Sequence, residues 1–451
     1  MERIHDYYRP AEERKGDFRE VEKALTLEDL KPQVERCQNC GLPFCHGSGC
    51  PLGNLVPDQN RAVAAGDLKR AYELLSVNSD FPEFTARICP ALCESCCVRQ
   101  LDEESVMIRQ SEKLIIETAF RNGWVVPRPP KAENGRRVAV IGAGPAGLSA
   151  AVTLRRRGYA VTVYEKNAKI GGLLRYGIPY FKLDKAIIDR RQRILEAEGI
   201  RFVVNTAVGV DVSAAYLAKT YDAVVVAIGT PAARDLKIPG RELKGIHLAL
   251  DLLGQQNQAI GGEISENPIN CRGKRVLVIG GGDTGSDCVG TATRHGAASV
   301  TQIEIMPRPP EERSASTPWP QWPYMLRTSS SHLEGCERRW NLNSLRFVGD
   351  GAVRGVEVET VKWELSPEGR PLSFKAVPGT KETIPADVVL LAMGFTGVPS
   401  DHPIVKELQL AQTPRTALVS DPARNIHCVG DCATGASLVV RALAGGKALE
   451  I

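Results

Sequence analysis

Apolar positions recur with helical spacing through the first part of the chain. In AVAAGDLKRAYELLSVN and SVMIRQSEKLIIETAFRNG the apolar residues stand three or four apart, as on one buried face of an α-helix. The stretch VVPRPPKAENG then places prolines at Pro127, Pro129 and Pro130, which disfavour helix and favour an extended linker. We therefore predict a mostly helical domain over residues 1–130.

The pattern changes after this linker. RRVAVIGAGPAGLSAAVTLRRRGYAVTVYEK is typical of a buried parallel strand, a glycine turn, a helix and a second strand that ends in an acid. The same order returns in KRVLVIGGGDTGSDCVGTATRHGAASVTQIEI, and shorter apolar strands in YDAVVVAIGT, ADVVLLAMGF and NIHCVGD lead into glycines. These patterns predict an α/β protein with two Rossmann-like nucleotide-binding domains behind a helical domain.

Composition excludes several classes of protein. The 451 residues suffice for about three domains at roughly 150 residues each. The 57 Lys and Arg against 53 Asp and Glu leave a net charge of +4, without the basic excess of a nucleic-acid binder. No run of eighteen apolar residues occurs, and the first twenty residues are too charged for a secretory signal. We predict a cytoplasmic protein with neither a nucleic-acid nor a membrane partner.

Cysteines are concentrated in the helical domain. Because we predict a cytoplasmic protein, its thiols stay reduced, and clustered cysteines are then more typical of metal ligands than of disulfides. The cysteines form two groups, one at residues 37–50 and one at residues 89–97. Each group contains a Cys-Pro and closely spaced cysteines, as in ferredoxin-like runs that hold 4Fe-4S clusters. Structural zinc and buried inert thiols are the alternatives, and the nucleotide folds downstream favour two 4Fe-4S clusters. Eight of the 13 cysteines lie here: Cys37, Cys40, Cys45, Cys50, Cys89, Cys93, Cys96 and Cys97.

The first glycine loop has the features of a dinucleotide site. Gly142 makes the tight turn, Gly144 lets the backbone approach a pyrophosphate, and Gly147 lets the helix pack on the strand. Glu165 stands where a carboxylate accepts hydrogen bonds from ribose hydroxyls. The later glycines in GGLLRYGIP and an acid at Asp431, which can bond a polyol hydroxyl, favour FAD at this site.

The second loop, with Gly280, Gly282 and Gly285, predicts a nicotinamide coenzyme. Arg308 and Arg313 in the following MPRPPEER are candidates for a 2′-phosphate, although each is equally typical of a solvated surface charge. Glu304 argues the other way, since an acid at this distance favours NAD. We predict NADPH over NADH, and hydride transfer to FAD that needs no acid–base catalytic residue.

Several longer segments together resemble one known family. These are CQNCGLPFCHGSGCPL, DFPEFTARICPALCESCC, GGLLRYGIPYFKLDK and PWPQWPYMLRTSSSHLEG, and they are similar to the small (beta) subunits of bacterial NADPH-dependent glutamate synthases. The resemblance implies a pyridine nucleotide-disulfide oxidoreductase-like fold in which the FAD domain, residues 131–245 and 396–451, is interrupted by an NADPH domain at 246–395. It also implies a hetero-oligomer in which electrons pass from NADPH through FAD and two 4Fe-4S clusters to FMN on a large (alpha) subunit, which makes glutamate from glutamine and 2-oxoglutarate.

The resemblance also implies ligand sets for the two clusters. One cluster takes Cys37, Cys40, Cys45 and Cys97, and the other takes Cys50, Cys89, Cys93 and a fourth ligand that is either Glu112 or Cys96. By the same comparison Lys182 contacts FAD and Arg313 binds the NADP phosphate. In the FAD segments the predicted cofactor-binding residues are Gly142, Ala143, Gly144, Pro145, Ala146, Gly147, Glu165, Lys166, Gly172, Leu173, Lys182, Val208, Gly229, Gly430 and Asp431. In the NADPH segment they are Gly280, Gly281, Gly282, Asp283, Thr284, Arg308, Arg313 and Gly394.

Two other functions remain open at this point. One is a related flavoprotein that exchanges NADPH electrons with ferredoxin, like the transhydrogenase-like and sulfide-dehydrogenase-like relatives, with the same cofactors. The other is a non-catalytic scaffold whose clusters only stabilise an assembly. We associate the PWPQWPYMLRTSSSHLEG segment with the glutamate synthase family, and this resemblance favours an electron-input subunit.

Overall fold

The computed structural model describes residues 2–366, 369 and 371–451. The first part of the chain is helical, as predicted. The stretch AVAAGDLKRAYELLSVN contributes to two helices rather than one, because Gly66 turns the chain at φ +79° and the Asp67 side chain accepts the Arg70 N–H at 2.9 Å to cap the second helix. The helices are α1 (Ala11–Arg14), α2 (Leu27–Val34), α3 (Val56–Ala64), α4 (Leu68–Asn78), α5 (Pro82–Ile88), α6 (Leu92–Ser95) and α7 (Ile108–Arg121).

Short turns complete this region. A π-helical turn spans Cys45–Gly49 and a 3-10 turn spans Val98–Leu101, so both lie among the clustered cysteines. The helical region is fastened to the rest of the chain by buried ion pairs. Glu83 of α5 accepts two hydrogen bonds from Arg191, at 2.5 and 2.9 Å. Since both side chains are buried, this contact fixes the helical region against the fold that follows.

The first parallel sheet has the strand order β16-β4-β1-β2-β3. Its strands are apolar on both faces: Val138 and Val140 pack into one core and Ala139 and Ile141 into another. A sheet covered on both faces needs such continuous apolar runs. The strands are β1 (Arg137–Ile141), β2 (Ala160–Tyr164), β3 (Arg201–Val203), β4 (Ala223–Val226) and β16 (Ile426–Cys428). The helices are α8 (Pro145–Arg156), α9 (Leu173–Tyr176), α10 (Ala186–Ala197), α11 (Ala214–Thr220), α14 (Pro403–Leu408), α15 (Asp431–Thr434) and α16 (Val439–Lys447).

The second parallel sheet repeats this architecture with the order β6-β14-β7-β8-β9. Its strands are β6 (Ile246–Leu248), β7 (Arg275–Ile279), β8 (Ser299–Ile303), β9 (Glu337–Arg339) and β14 (Val388–Leu391). Helices α12 (Ala249–Ile260) and α13 (Asp283–Arg294) cover one face. The two predicted βαβ units are therefore present as β1-α8-β2 and β7-α13-β8.

An antiparallel sheet covers the other face of the second sheet, where Leu277 and Ile279 pack against Val356 and Val358. Its strands are β10 (Leu342–Asp350), β11 (Ala352–Leu365), β12 (Pro371–Ala376) and β13 (Glu382–Pro385). The sequence patterns did not predict this sheet.

A two-stranded ribbon lies where the chain passes between the two folds. Strand β5 (Ala232–Ala233) leads toward the second sheet and β15 (Phe395–Gly397) returns from it, and the two pair antiparallel. The last strand of the first sheet, β16, comes only after this return. Short 3-10 turns occur at His332–Glu334 and Pro422–Arg424. Within the described residues, no helix is long and apolar enough to cross a membrane.

Candidate functional site

The first cysteine group surrounds a cavity in the helical domain. Cys37 and Cys40 follow α2, Cys45 begins the π-helical turn, and Cys97 precedes the Val98–Leu101 turn. All four line one cavity with about 360 Å³ of empty space that opens to solvent. Apolar side chains, among them Phe44 and Val56, form much of its remaining wall. The four thiols expected to hold one cluster are thus brought together by three separate segments.

The second group gathers around Glu112 of α7. Burial and the nearby Glu112 carboxylate together raise the pKa of the Cys50 thiol and of the Cys93 thiol. Cys89 lies in the same group, and burial raises its pKa to about 11. Such shifts show the cost of leaving thiolates buried without a cation, because burial disfavours the charged form. Three thiols therefore lie near one buried carboxyl, an arrangement that would suit a metal cluster.

Glu112 and Cys96 differ in where their side chains point. Glu112 accepts a hydrogen bond from Asn54 Nδ2 at 2.8 Å, and burial raises its pKa to about 7. Cys96 lies between the groups, but its sulfur packs against Gly49 and donates to the Cys93 carbonyl at 3.4 Å. The Glu112 carboxyl thus lies near the thiols of the second group, whereas the Cys96 sulfur is hydrogen-bonded to the backbone. Among the described residues, no three His, Cys, Asp or Glu side chains are placed to hold a single metal ion.

The first glycine loop connects β1 to α8 and has the geometry that a dinucleotide requires. Gly142 adopts φ +103°, and a Cβ there would lie 2.5 Å from the Ala227 carbonyl oxygen. A Cβ at Gly147 would collide with the Gly142 carbonyl, so only glycine lets the helix approach the strand this closely. The N-terminus of α8 consequently points at the loop, where an anionic pyrophosphate is favoured.

Glu165 at the end of β2 is buried beside this loop. One carboxylate oxygen accepts the Ala143 N–H at 2.9 Å, and the other accepts two hydrogen bonds from Asn167, at 2.9 and 2.7 Å. The carboxylate is therefore held in one orientation at the carboxyl edge of the sheet. This is the position in which an acid accepts hydrogen bonds from ribose hydroxyls.

Two distant segments close over the first loop. Gly172 adopts φ +51° and lies against Gly144, because a Cβ at Gly172 would be 2.8 Å from the Gly144 Cα. Gly430, at φ +68°, packs against Ala146, and the adjacent Asp431 carboxylate accepts a hydrogen bond from Ser437 at 2.7 Å. Three parts of the chain thus meet at one sheet edge. Of the other predicted residues, Gly229 follows β4 and Val208 is buried, whereas Lys166 and Leu173 are exposed.

The second glycine loop repeats the geometry of the first. Gly280 adopts φ +125° against the Ala392 carbonyl, and Gly285 packs on the Gly280 carbonyl. Glu304 accepts the Gly281 N–H at 2.6 Å and the Met306 N–H at 3.1 Å. A Cβ at Gly282 would meet no atom of the described chain within 4 Å, so the backbone there faces space that a pyrophosphate can fill. Asp283 and Thr284 begin α13 at this loop, and Gly394 follows β14.

Sequence patterns did not identify three further hydrogen bonds at or beside the second loop. Gln302 donates to the Gly280 carbonyl at 2.8 Å and also bonds His332 at 2.8 Å. Burial lowers the pKa of His332 to about 4, so this imidazole is neutral near pH 7. Ser329 bonds Ser286 of α13 at 2.6 Å. Ser329 and His332, which follow PWPQWPY in the chain, therefore lie beside the second loop, and no short-range spacing could have shown this.

Two predicted cofactor ligands make contacts within the protein. Arg313 donates to the carbonyls of Ser95, at 2.9 Å, and Gln321, at 2.6 Å, so its guanidinium lies against the cysteine-bearing helical domain. Lys182 forms an ion pair with Asp287 of α13. Burial alone would lower the pKa of Lys182, but Asp287 outweighs it and the pKa is raised. Lys182 thus connects the first fold to the second.

Comparisons with known proteins find relatives both of the cysteine-bearing helical domain and of the nucleotide-binding folds that follow it. Residues 14–124 match the family model described as dihydropyrimidine dehydrogenase domain II, 4Fe-4S cluster, and residues 136–319 match that of pyridine nucleotide-disulphide oxidoreductases. The chain is 46% identical to the glutamate synthase [NADPH] small chain of Mycobacterium tuberculosis, over 98% of this chain and 91% of that protein. The chain belongs to the glutamate synthase small-chain family.

Other members extend the family comparison. The Bacillus subtilis glutamate synthase [NADPH] small chain is 38% identical over 96% of this chain and 92% of its own length. The Saccharomyces cerevisiae glutamate synthase [NADH] is 42% identical over 99% of this chain, which corresponds to only 21% of that protein. The sequence of this family thus makes up nearly all of the Bacillus subtilis chain and about a fifth of the Saccharomyces cerevisiae protein.

A solved structure supports the fold. FprA of Mycobacterium tuberculosis in complex with NADPH covers 71% of this chain and 83% of its own, with a TM-score of 0.52 and 20% identity. Together with the two family models, this likeness confirms the predicted fold class: an iron–sulfur domain followed by a pyridine nucleotide-disulphide oxidoreductase fold.

Proposed function

We propose that this chain is the electron-input subunit of a glutamate synthase. It oxidises NADPH and delivers the electrons to a large (alpha) subunit that carries FMN and makes glutamate from glutamine and 2-oxoglutarate. The observation that carries the proposal is that one chain of this family combines two glycine-loop sheet edges with two groups of clustered thiols. When bound, FAD and NADPH supply hydride transfer and the 4Fe-4S clusters supply one-electron transfer.

In this proposal the first loop binds FAD. Gly142 and Gly144 admit the pyrophosphate to the N-terminus of α8, and Glu165 orients a ribose. Asp431 bonds the flavin side chain. The packing of Gly172 and Gly430 against the loop supports this assignment, because three segments of the chain then enclose the site. The second loop binds NADPH at the N-terminus of α13, and Lys182 paired with Asp287 keeps the two loops in fixed relation.

The thiols divide between two clusters. Cys37, Cys40, Cys45 and Cys97 bind one, and the cavity they share supports this assignment. Cys50, Cys89, Cys93 and Glu112 bind the other, since the Glu112 carboxyl lies near these three thiols. A carboxylate is a weaker electron donor to iron than a thiolate, so Glu112 distinguishes the second cluster chemically from the first.

The test is anaerobic NADPH oxidation by the chain mixed with the large subunit. Turnover should require both glutamine and 2-oxoglutarate. Two clusters predict about eight irons per chain. The Cys40→Ser variant should lose about half of this iron and the coupled turnover while NADPH still bleaches the flavin.

The matched control is Cys271→Ser, because Cys271 is buried in the second fold, away from both groups. It should keep its iron and its coupled turnover. NADPH consumption that occurs only with ferredoxin, and never with the large subunit, would contradict the glutamate assignment and favour the ferredoxin-linked flavoprotein. Unchanged iron in Cys40→Ser would remove Cys40 from the ligand set.

A further inference from the structure

Two arginines share one indole ring beside the second glycine loop. The guanidinium carbon of Arg308 lies 5.5 Å from the ring centroid of Trp340, and that of Arg338 lies 5.0 Å from the same centroid. Arg308 belongs to the loop after β8, whereas Arg338 is the middle residue of β9. Stacking on a flat aromatic ring orients a guanidinium and leaves its N–H donors free to bind an anion.

Backbone hydrogen bonds place this group at the carboxyl edge of the sheet. The Glu304 N–H donates to the Arg339 carbonyl at 2.9 Å, and the Asn341 N–H donates to the Met306 carbonyl at 3.1 Å. Trp340 therefore lies directly beside the residues that follow β8. Glu304 itself bonds the Gly281 N–H of the loop, so the arginines are next to the ribose end of a nucleotide bound there.

The charges of the two arginines are incompletely compensated. Arg308 has one carboxylate partner, Glu311, and both of these side chains are more than half exposed. Arg338 donates to the Thr328 hydroxyl at 3.4 Å and forms no ion pair with any residue that the structure describes. Burial lowers the pKa of Arg338, and the nearby Arg308 charge acts in the same direction. An anion between them would relieve this repulsion.

We propose that Arg308 and Arg338, held on Trp340, bind the adenosine 2′-phosphate of NADPH and thereby determine coenzyme choice. The inference rests on the proposed function and adds Arg338 and Trp340 to its site. The pair acts against Glu304, whose charge alone favours a free ribose 2′-hydroxyl. It also replaces Arg313 as the phosphate ligand, because the Arg313 guanidinium is already bonded to Ser95 and Gln321.

The proposal is tested on the flavin-loaded chain with the Arg338→Ala variant. Adenosine 2′,5′-bisphosphate should bind about 30-fold more weakly by calorimetry, which is about 2 kcal/mol at 1.4 kcal/mol per tenfold change. NADPH should reduce the flavin with a KM raised by a similar factor, while the KM for NADH stays unchanged. Arg308→Ala should have a smaller effect, since Arg308 is more exposed and already paired with Glu311.

The control is Arg346→Ala, because Arg346 is exposed and paired with Glu357 on the antiparallel sheet. It should bind the bisphosphate as the unchanged chain does. Bisphosphate binding by Arg338→Ala at full affinity would overturn the proposal, and so would an equal loss toward NADPH and NADH. If neither coenzyme reduces the flavin of the unchanged chain, the proposed function fails, while the bisphosphate titration still decides the phosphate site separately.

Discussion

The two nucleotide folds share their turn and differ in what surrounds it. Both use a glycine with positive φ against a neighbouring carbonyl, and both end their second strand in an acid, Glu165 or Glu304, that bonds the loop. Gly172 and Gly430 close over the first loop. At the second, the backbone of Gly282 faces open space. The same turn can thus retain one nucleotide and exchange another, depending on the segments around it.

The largest expected effect separates the two folds by their first glycines. In Gly142→Val the side chain would meet the Ala227 carbonyl at a positive φ that a β-branched residue does not adopt. We expect this chain to be isolated almost without flavin. Gly280→Val should keep its flavin, measured by the ratio of flavin absorbance to protein, but NADPH should no longer bleach it.

Gly142→Val and Gly280→Val serve as controls for each other. Each carries the same substitution at the same position of a repeated turn, so a general folding defect would affect both alike. Retention of flavin by Gly142→Val, or its loss from Gly280→Val, would contradict the assignment of FAD to the first fold.

The ion pair between Lys182 and Asp287 tests how firmly the folds are joined. Lys182→Met leaves the buried Asp287 carboxylate without its cation, which we expect to lower the free energy of unfolding by about 3 kcal/mol. Chemical denaturation followed by flavin fluorescence measures this. Adding Asp287→Leu to Lys182→Met should recover part of the loss. Lys375→Met, which breaks an exposed pair with Glu364, should leave the denaturation midpoint unchanged.

The smallest expected effect concerns the two acids. Glu165→Gln should weaken flavin retention about fivefold, because a neutral amide accepts a weaker hydrogen bond from a ribose hydroxyl. Glu304→Gln should instead tighten NADPH binding by a similar factor, because it removes a negative charge from the neighbourhood of the 2′-phosphate. Equilibrium titrations with FAD and with NADP+ measure both. Weaker NADP+ binding by Glu304→Gln would show that the second acid acts as the first does.

Local patterns predicted the parts of the fold that depend on neighbours in sequence. The runs RVAVI and RVLVI are buried parallel strands because every residue after the first arginine is apolar and packs on one face or the other. The roles predicted for Gly142, Gly147 and Glu165 depend on the turn itself: the two glycines make close backbone contacts there, and Glu165 accepts the Ala143 N–H of the same loop.

The remaining features depend on contacts between distant residues. Arg313 lies against Ser95, which is 218 positions earlier in the chain, and nothing in MPRPPEER reports that neighbour. We did not predict the antiparallel sheet because its strands lack a regular alternation of buried and exposed residues. In β10, buried and partly exposed residues follow one another with no fixed period. The sequence did not indicate a role for Arg338, because its proximity to Arg308 depends on the Trp340 ring that both arginines contact.

The ribbon of β5 and β15 has a consequence for the history of the molecule. The chain leaves the first fold at Ala233 and re-enters it at Phe395, and these two residues are direct partners in the ribbon. Residues 234–394 are therefore an insertion whose two ends are adjacent in the ribbon. Domains with adjacent ends are readily gained, lost or exchanged by recombination, because their removal leaves a gap that a short turn can close. The second fold has the geometry of a cassette, and a chain of this kind could acquire a new electron donor without rebuilding its flavin site.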